Sequence, residues 1–167
     1  MSLRNHFALK SAFLLTLTSL LLWSSSAMAG APIRQGGNFG IGLGGGYGVT
    51  GLSMKYFMTP GTSLQGTVGV HTRYRFDYIG ATLDYLIELP EFVQSDVINI
   101  GPSIGPGVAL GLWDNGLAVG VSGVGGIEFM LNPVPIDFVI EWRPTVHVVP
   151  DVDLDLVRFT GHIRFYF

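Results

Sequence analysis

The sequence contains no cysteine, and this absence removes several functions at once. Without a thiol, the chain cannot form disulfides, bind zinc or iron–sulfur clusters through sulfur, or use a cysteine nucleophile. Charge is also scarce, because charged residues make up 13% of the chain whereas hydrophobic residues make up 48%. Such a composition argues against intrinsic disorder.

Positive charge is especially scarce. The chain has 9 Lys and Arg against 12 Asp and Glu, and two of the cations, Arg4 and Lys10, lie in the first ten residues. Beyond residue 29, 7 basic residues face 12 acidic ones, a formal charge of −5. A nucleic-acid backbone would be repelled by this charge, so we expect no nucleic-acid partner.

The first 29 residues have the pattern of an export signal. The basic residues come first, residues 11–23 form an apolar core, and the small residues that follow end in Ala27-Met28-Ala29. A membrane anchor is the alternative, but a bilayer-spanning helix needs roughly 20 apolar residues and this core is shorter. The order predicts a signal peptide over 1–29 and a mature domain over 30–167.

Long apolar runs are absent from the rest of the chain. No stretch after residue 29 has 18 uninterrupted apolar residues, so no helical membrane span is predicted there. Apolar residues recur instead at every second position, which is typical of β-strands. Eight alternating segments lie at 38–48, 52–58, 64–71, 79–87, 97–112, 117–131, 136–148 and 157–167.

The two faces of these segments differ sharply. In the first, Ile41 and Leu43 alternate with Gly40, Gly42 and Gly44. Throughout, one face is apolar and the other carries glycine, hydroxyl or charge. In a transmembrane barrel, the apolar face of each strand points outward to lipid and the polar face points into the lumen. The sheet must also close, because every backbone amide in lipid must be paired. We therefore predict an all-β, eight-stranded antiparallel up-and-down transmembrane β-barrel; a secreted lipocalin-like barrel with an apolar cup is the alternative.

The connections between the segments are short. If both termini are periplasmic, the extracellular connections are 49–51, 72–77, 113–116 and 149–155, which disfavours a large folded outer surface. Trp113-Asp114-Asn115-Gly116 is a strong hairpin signal. Three prolines interrupt the apolar faces, and each should mark a bulge or a poorly paired position because proline has no N–H to donate. They are Pro102, Pro106 and Pro144.

An export signal followed by eight amphipathic segments, the last ending at Phe167, resembles the small outer-membrane β-barrel proteins of Gram-negative bacteria, in the eight-stranded class of outer-membrane proteins A and X. The resemblance implies residence in the outer membrane, contact with the bilayer and lipopolysaccharide, and periplasmic chaperones and barrel-assembly machinery as partners during biogenesis. It implies that this machinery reads the alternate residues of the terminal segment: Phe159, Gly161, Ile163, Phe165 and Phe167. The short outer connections depart from host-interacting members, so their binding roles are not transferred. We expect a monomer.

The polar face predicts a charged lumen. The interior of an eight-stranded barrel is just wide enough for side chains to fill it, which disfavours a solute pore. The residues assigned to the lumen charge network are Lys55, Asp84, Glu128, Asp137, Glu141, Arg143, His147, Arg158, His162 and Arg164. A last connection centred near residues 152 and 153 would set Glu141 opposite Arg164, Arg143 opposite His162 and His147 opposite Arg158. Registers shifted by two residues stay open.

Residues that could carry chemistry are few. His71, His147 and His162 lie on the polar face, and we favour hydrogen bonding inside the lumen over metal binding or base catalysis. Asp151, Asp153 and Asp155 form a D-x-D-x-D pattern, but the Gly and the Glu that a calcium loop needs at its sixth and twelfth positions are missing. Solvated carboxylates are the favoured interpretation, and divalent cations shared with lipopolysaccharide are the alternative.

These observations predict no catalytic residue, cofactor or metal. We expect a structural or envelope-interaction role. A narrow channel for small solutes or ions is the second hypothesis, because the glycine-lined walls could leave space. An outer-membrane lipid-modifying enzyme is the third, although it would need a serine or carboxylate beside its base at the membrane-facing rim.

Overall fold

The computed structural model describes residues 37–46, 49–73, 76–113 and 116–167. The predicted signal peptide and the turn residues Asp114 and Asn115 lie outside the described residues. In the described part, no helix is long and apolar enough to cross a membrane. The strands are β1 Phe39–Gly46, β2 Thr50–Thr59, β3 Thr62–Arg73, β4 Phe76–Glu88, β5 Val93–Gln94, β6 Ile98–Trp113, β7 Gly116–Leu131, β8 Ile136–Trp142, β9 Thr145–Val149, β10 Asp153–Asp155 and β11 Phe159–Tyr166.

The strands form a closed eight-stranded antiparallel β-barrel. Each long strand pairs with the next along the chain, β8 and β9 pair with β7 as two halves of the seventh strand, and β11 closes the barrel on β1. The predicted all-β barrel is therefore confirmed. The closing seam pairs Gly40 with Tyr166 and Gly46 with Thr160. We call the end carrying Gly37 and Phe167 the terminal end, and the opposite end the loop end.

The connections at the loop end are short. The strands β3 and β4 pair as far as Arg73 with Phe76, which leaves residues 74–75 between them. The predicted connection over 72–77 is therefore too long. Likewise, Trp113 pairs with Gly116, as the hairpin signal in this segment predicted. The sequence did not predict the short strands β5 and β10, which pair along β6 and β9.

The alternation of faces follows the prediction in all eight strands. Outward apolar side chains such as Leu43 and Ile140 are 66% and 60% exposed, whereas inward neighbours such as Glu141 are fully buried. Among the described residues, six apolar side chains are buried against seventeen polar or charged ones. The barrel thus places its charge inside and its apolar surface outside, and the apolar cup of a lipocalin-like barrel is not what the described residues form.

The prolines interrupt pairing on one edge only. The ladder between β4 and β6 omits Tyr85 with Pro106, whereas β6 pairs without a break to β7, including Pro102 with Ile127. The carbonyl of Pro102 accepts from the Leu89 amide at 3.0 Å, so the main-chain groups of Pro102 face β4 rather than β7. Pro144 separates β8 from β9. The missing N–H groups therefore weaken the β4 edge and divide the seventh strand.

The predicted register between the last two strands is wrong. Asp137 lies opposite Arg164, and Glu141 lies opposite Thr160. Compared with the expected pairing, β11 is displaced by four residues along its neighbour, so that neither Arg164 nor His162 lies opposite its expected partner. At the loop end, His147 lies opposite Asp153 rather than Arg158.

Candidate functional site: the charged lumen

The inward faces of five strands place ionisable side chains in one continuous interior. Nine residues of the predicted network are buried, and His147 is half-buried. Glu88 also belongs to this interior and was missed, although it continues the even-numbered inward face of β4. Gln65, on the inward face of β3, was likewise not assigned to the network. The alternation alone could have identified both residues.

The first cluster lies nearer the terminal end. Lys55 on β2 contacts Glu88 at 2.8 Å and Glu128 at 2.9 Å. Arg164 on β11 donates to Asp137 through Nη2 at 2.9 Å and through Nε at 3.2 Å. Because all five side chains are buried, each charge has its partner within hydrogen-bond distance rather than in solvent.

Tyr166 and Ser63 complete this cluster. The Tyr166 hydroxyl donates to Asp137 at 2.6 Å and lies 3.4 Å from Glu128. The Ser63 hydroxyl donates to Glu88 at 2.5 Å. These neutral donors satisfy carboxylate lone pairs that the two cations leave free, as a buried ion cluster requires.

The second cluster lies nearer the loop end. Arg143 donates to Asp84 through both terminal nitrogens, at 2.9 and 2.5 Å, in a bidentate arrangement. Its Nη2 is also 3.5 Å from Glu141. Glu141 receives further hydrogen bonds from Gln65 at 2.7 Å and Thr160 at 3.2 Å. This carboxylate therefore lies at the centre of the second cluster.

Gln65 joins the two clusters. Its Nε2 donates to Glu141, and its Oε1 accepts from Nη1 of Arg164 at 2.5 Å. A single amide thus spans the acid and the base that were expected to meet directly. Through Gln65, contacts between buried side chains connect Glu88 to Asp84 within the lumen.

Glycine makes room for these large side chains. A Cβ on Gly40 would lie 2.6 Å from the Tyr166 ring, and one on Gly126 would lie 3.1 Å from Cγ of Glu141. Gly44 faces the His162 ring in the same way. The glycines of β1 and β7 therefore leave room for large side chains of the adjacent strands, β11 and β8.

Ser53, His162 and Glu141 lie in the order nucleophile, base and acid. Oγ of Ser53 is 3.0 Å from Nδ1 of His162, and Nε2 of His162 is 3.2 Å from Glu141. This contact between strands β2, β11 and β8 could not be inferred from sequence spacing. Ser53 is fully buried, however, and an acyl substrate would need access to its hydroxyl. The arrangement therefore fits a structural hydrogen-bond chain better than a hydrolytic site.

A cavity occupies the lumen above the second cluster, and we call it the vestibule. Its empty space is about 560 Å³, which includes its opening to solvent. It lies at the loop end, since Val49, Gly111 and Ala118 form part of its wall. The ionisable residues among its described lining are Arg143, His147, Arg158 and His162.

The histidines and the aspartates of the last connection show no metal-binding arrangement. The described residues contain no group of three or more His, Asp or Glu side chains placed to hold a metal ion. His147 lies 3.3 Å from Arg158, and the His71 side chain is outside the described part. Asp151 and Asp153 are exposed, and Asp155 is 4.0 Å from Arg158.

The residues assigned to the insertion signal all lie on the outward face of the last strand. Phe159, Ile163, Phe165 and Phe167 are exposed. Phe167 packs edge-on against Phe39 with ring centroids 5.5 Å apart, and its amide donates to the Phe39 carbonyl at 3.0 Å. The terminal residue thus also has a structural contact at the closing seam.

No protein-family model matches this chain, and no curated protein or solved structure matches it either.

Proposed function

We propose that this protein is an integral outer-membrane β-barrel with a structural or envelope-interaction role, exported by means of a signal peptide over residues 1–29. The observation that carries the proposal is the inverted distribution of polarity. A closed barrel buries a network of charged side chains and exposes the apolar faces of its strands. Lipid is the solvent that favours both features.

Water would disfavour this surface. Exposed apolar patches on soluble monomers rarely exceed a few hundred Å². Here apolar side chains cover the outward faces of strands around the whole barrel, including Leu52, Leu83, Val108, Val121, Ile140 and Ile163. Removing such a surface from water is worth roughly 25 cal/mol per Å². A bilayer provides that transfer without requiring a protein partner.

The dimensions and the aromatic residues agree with a membrane belt. Ten strand residues rising about 3.3 Å each and tilted by about 40° cross about 25 Å, the height of the apolar band in such barrels. β2 has 10 residues and β4 has 13. Near the terminal end, outward aromatic side chains pair across strands, Phe39 with Tyr56 and Phe129 with Phe138, as in an interfacial girdle.

The biological setting of this proposal rests on the resemblance described above. Periplasmic chaperones and the barrel-assembly machinery would deliver the chain, with the outward residues of β11 as the recognition pattern. The terminal end would face the periplasm. The loop end would lie among lipopolysaccharide, and the folded protein would act as a monomer without catalytic activity.

Quenching of tryptophan fluorescence tests membrane insertion. Trp142 is an outward residue, 48% exposed, and its indole donates to the Leu156 carbonyl at 2.7 Å. In a Trp113→Phe variant of the mature chain folded into vesicles, brominated acyl chains should quench Trp142. Aqueous iodide should quench it weakly. Strong iodide quenching without bromolipid quenching would rule out insertion.

A narrow channel is the second candidate, and the vestibule is the observation that favours it. The linked clusters below the vestibule favour a closed lumen instead. In planar bilayers we expect no unitary conductance from the folded barrel. Stable single-channel steps would overturn the non-conducting proposal.

An enzyme is the third candidate, supported only by the contact of Ser53 with His162. A fluorophosphonate probe would label an activated serine. We expect no labelling of the folded protein, with Ser53→Ala as the matched control. Labelling that Ser53→Ala abolishes would restore the enzyme hypothesis.

A further inference from the structure

Three residues that line the vestibule each carry a buried polar atom that has no hydrogen-bond partner among the described residues. These atoms are Oγ1 of Thr67, Oγ1 of Thr82 and Nε of Arg143. Burying a polar group without a partner is unfavourable, and most buried polar atoms in proteins are paired. Because three residues with such atoms line one cavity, the cavity is a candidate site for a polar occupant.

The strand register brings these groups together. Thr67 on β3 lies directly opposite Thr82 on β4, and both side chains point into the lumen. Arg143 enters from the break between β8 and β9. Its terminal nitrogens are engaged by Asp84 and Glu141, which fixes the guanidinium, and its Nε has no hydrogen-bond partner among the described residues. The donors are therefore held in place before any ligand arrives.

The charge of the lining indicates the sign of the occupant. The ionisable groups in the described lining are two arginines, Arg143 and Arg158, and two histidines, while the carboxylates bound to Arg143 lie outside that lining. Arg158 lies near the mouth, where Asp155 approaches it at 4.0 Å. Arginine N–H groups and hydroxyls are the donors that oxyanions prefer. A cation would find no carboxylate among the described residues of this wall.

The size of the space limits the ligand to a small group. Most of the empty space of about 560 Å³ belongs to the opening to solvent, and the enclosed part is narrow. We propose that the vestibule binds a small oxyanion, a phosphate or a carboxylate, between Nε of Arg143, the hydroxyls of Thr67 and Thr82, and the guanidinium of Arg158. This inference goes beyond the proposed envelope role, and it does not depend on the surrounding lipid.

Calorimetry on the mature barrel, folded in an uncharged maltoside detergent, tests the proposal with inorganic phosphate and acetate as probes. We expect saturable binding of at least one anion at low ionic strength. Thr67→Val with Thr82→Val preserves side-chain shape and should weaken that binding by about ten-fold or more. Arg158→Gln should weaken it similarly and reduce its salt dependence.

Ser103→Ala is the matched control. Ser103 also has a buried hydroxyl without a partner among the described residues, but it does not line the vestibule, so its removal should leave affinity unchanged. Circular dichroism of each variant establishes that the barrel is folded. If no anion binds the wild-type barrel, or if the two threonine substitutions do not change affinity, the vestibule holds only water and the proposal fails.

A second arm distinguishes a free anion from a lipid headgroup. Vesicles containing a lipid with a phosphate monoester headgroup should compete with acetate for the site if the source is membranous. If inorganic phosphate competes and these vesicles do not, the source is a soluble anion. If neither competes with bound acetate on the folded wild-type protein, the site takes a carboxylate, and the assignment to phosphate is overturned.

Discussion

Gln65 shows how a neutral residue organises the charged lumen. It lies between Glu141 and Arg164, donating to one and accepting from the other. The sequence expectation of a direct Glu141–Arg164 pair fails because Asp137 lies opposite Arg164. Whether a residue faces the lumen follows from its odd or even position in the strand. Which residue it contacts depends on the strand register and on which side chains meet across the narrow lumen.

Double-mutant cycles should separate direct pairs from bridged ones. Asp137→Ala and Arg164→Ala should each destabilise the barrel by about 3–5 kcal/mol, because each leaves a buried charge without its partner. Their combined cost should be less than the sum by more than about 1 kcal/mol. The Glu141→Ala and Arg164→Ala pair, linked only through Gln65, should show weaker coupling. Urea unfolding in detergent micelles measures both cycles, and stronger coupling of Glu141 to Arg164 would contradict the geometry.

The closing seam between β1 and β11 has no room for a side chain at Gly42. A Cβ at Gly42 would overlap the Ile163 carbonyl oxygen and lie 2.8 Å from Cα of Arg164. These are main-chain atoms of the paired strand and cannot move independently. Gly42→Ala should therefore cost about 1–3 kcal/mol through overpacking.

The matched control for this substitution is Gly125→Ala, since an added Cβ at Gly125 meets nothing within 4 Å. Its effect should stay within about 0.5 kcal/mol. Unfolding midpoints of both variants in the same micelles provide the comparison. Equal losses at the two positions would show that the seam tolerates a side chain at Gly42.

At the scale of the element, the position of the last turn explains most of the error in the predicted register. The expected turn was centred near residues 152 and 153, whereas the pairing of His147 with Asp153 centres it on residue 150. The expectation assumed one uninterrupted ladder closed by one turn.

Pro144 also divides the strand into β8 and β9, and β9 pairs with both β7 and β10. Thr145 pairs with Asp155, and the Arg143 amide donates to the Arg158 carbonyl. Between these two points, Pro144 is a single residue that faces two residues, 156 and 157. The additional residue in the last strand forms a β-bulge. Because of it, the odd or even positions that face inward in β10 are the opposite of those in β11.

The last strand combines a structural contact with a proposed recognition pattern. Phe167→Ala keeps the main-chain bond to Phe39 and removes only the ring contact, which is worth about 0.5–1.5 kcal/mol beyond its buried area. We therefore expect a small loss of stability in micelles but a large loss of assembled protein in outer membranes of cells expressing it.

Phe39→Ala is the control for this prediction. It removes the same ring contact from the other side and leaves the last strand intact. Its product should assemble at nearly the wild-type level, as measured by the heat-shifted band in outer-membrane fractions. If both variants assemble equally, the terminal residue has no role in recognition beyond its packing.

For the whole molecule, the period of the sequence predicted most of the architecture. Alternation identified the eight segments and their inward and outward faces, and the closure of the sheet was predicted because every backbone amide in lipid must be paired. Alternation could not predict the Ser53–His162 contact, the bridging by Gln65 or the vestibule. Those features depend on which residues lie at the same height along the barrel axis on non-adjacent strands. That height is the sum of every bulge and register shift between the strands, and the sequence does not give these shifts.

The lipid-facing assignment predicts a dependence on depth that a water-soluble barrel would not show. Leu83 lies near the middle of β4, 55% exposed, and Met58 lies at the end of β2, 39% exposed. In vesicles, Leu83→Arg should destabilise the barrel by about 2–4 kcal/mol, because the bilayer midplane disfavours the charge most, whereas Met58→Arg should cost about 0–1 kcal/mol. In water, both substitutions would lie on an exposed surface and stay within about 0.5 kcal/mol. Guanidinium unfolding of the vesicle-inserted variants measures the difference, and equal, small effects at both positions would mean that the apolar faces of this barrel do not contact lipid.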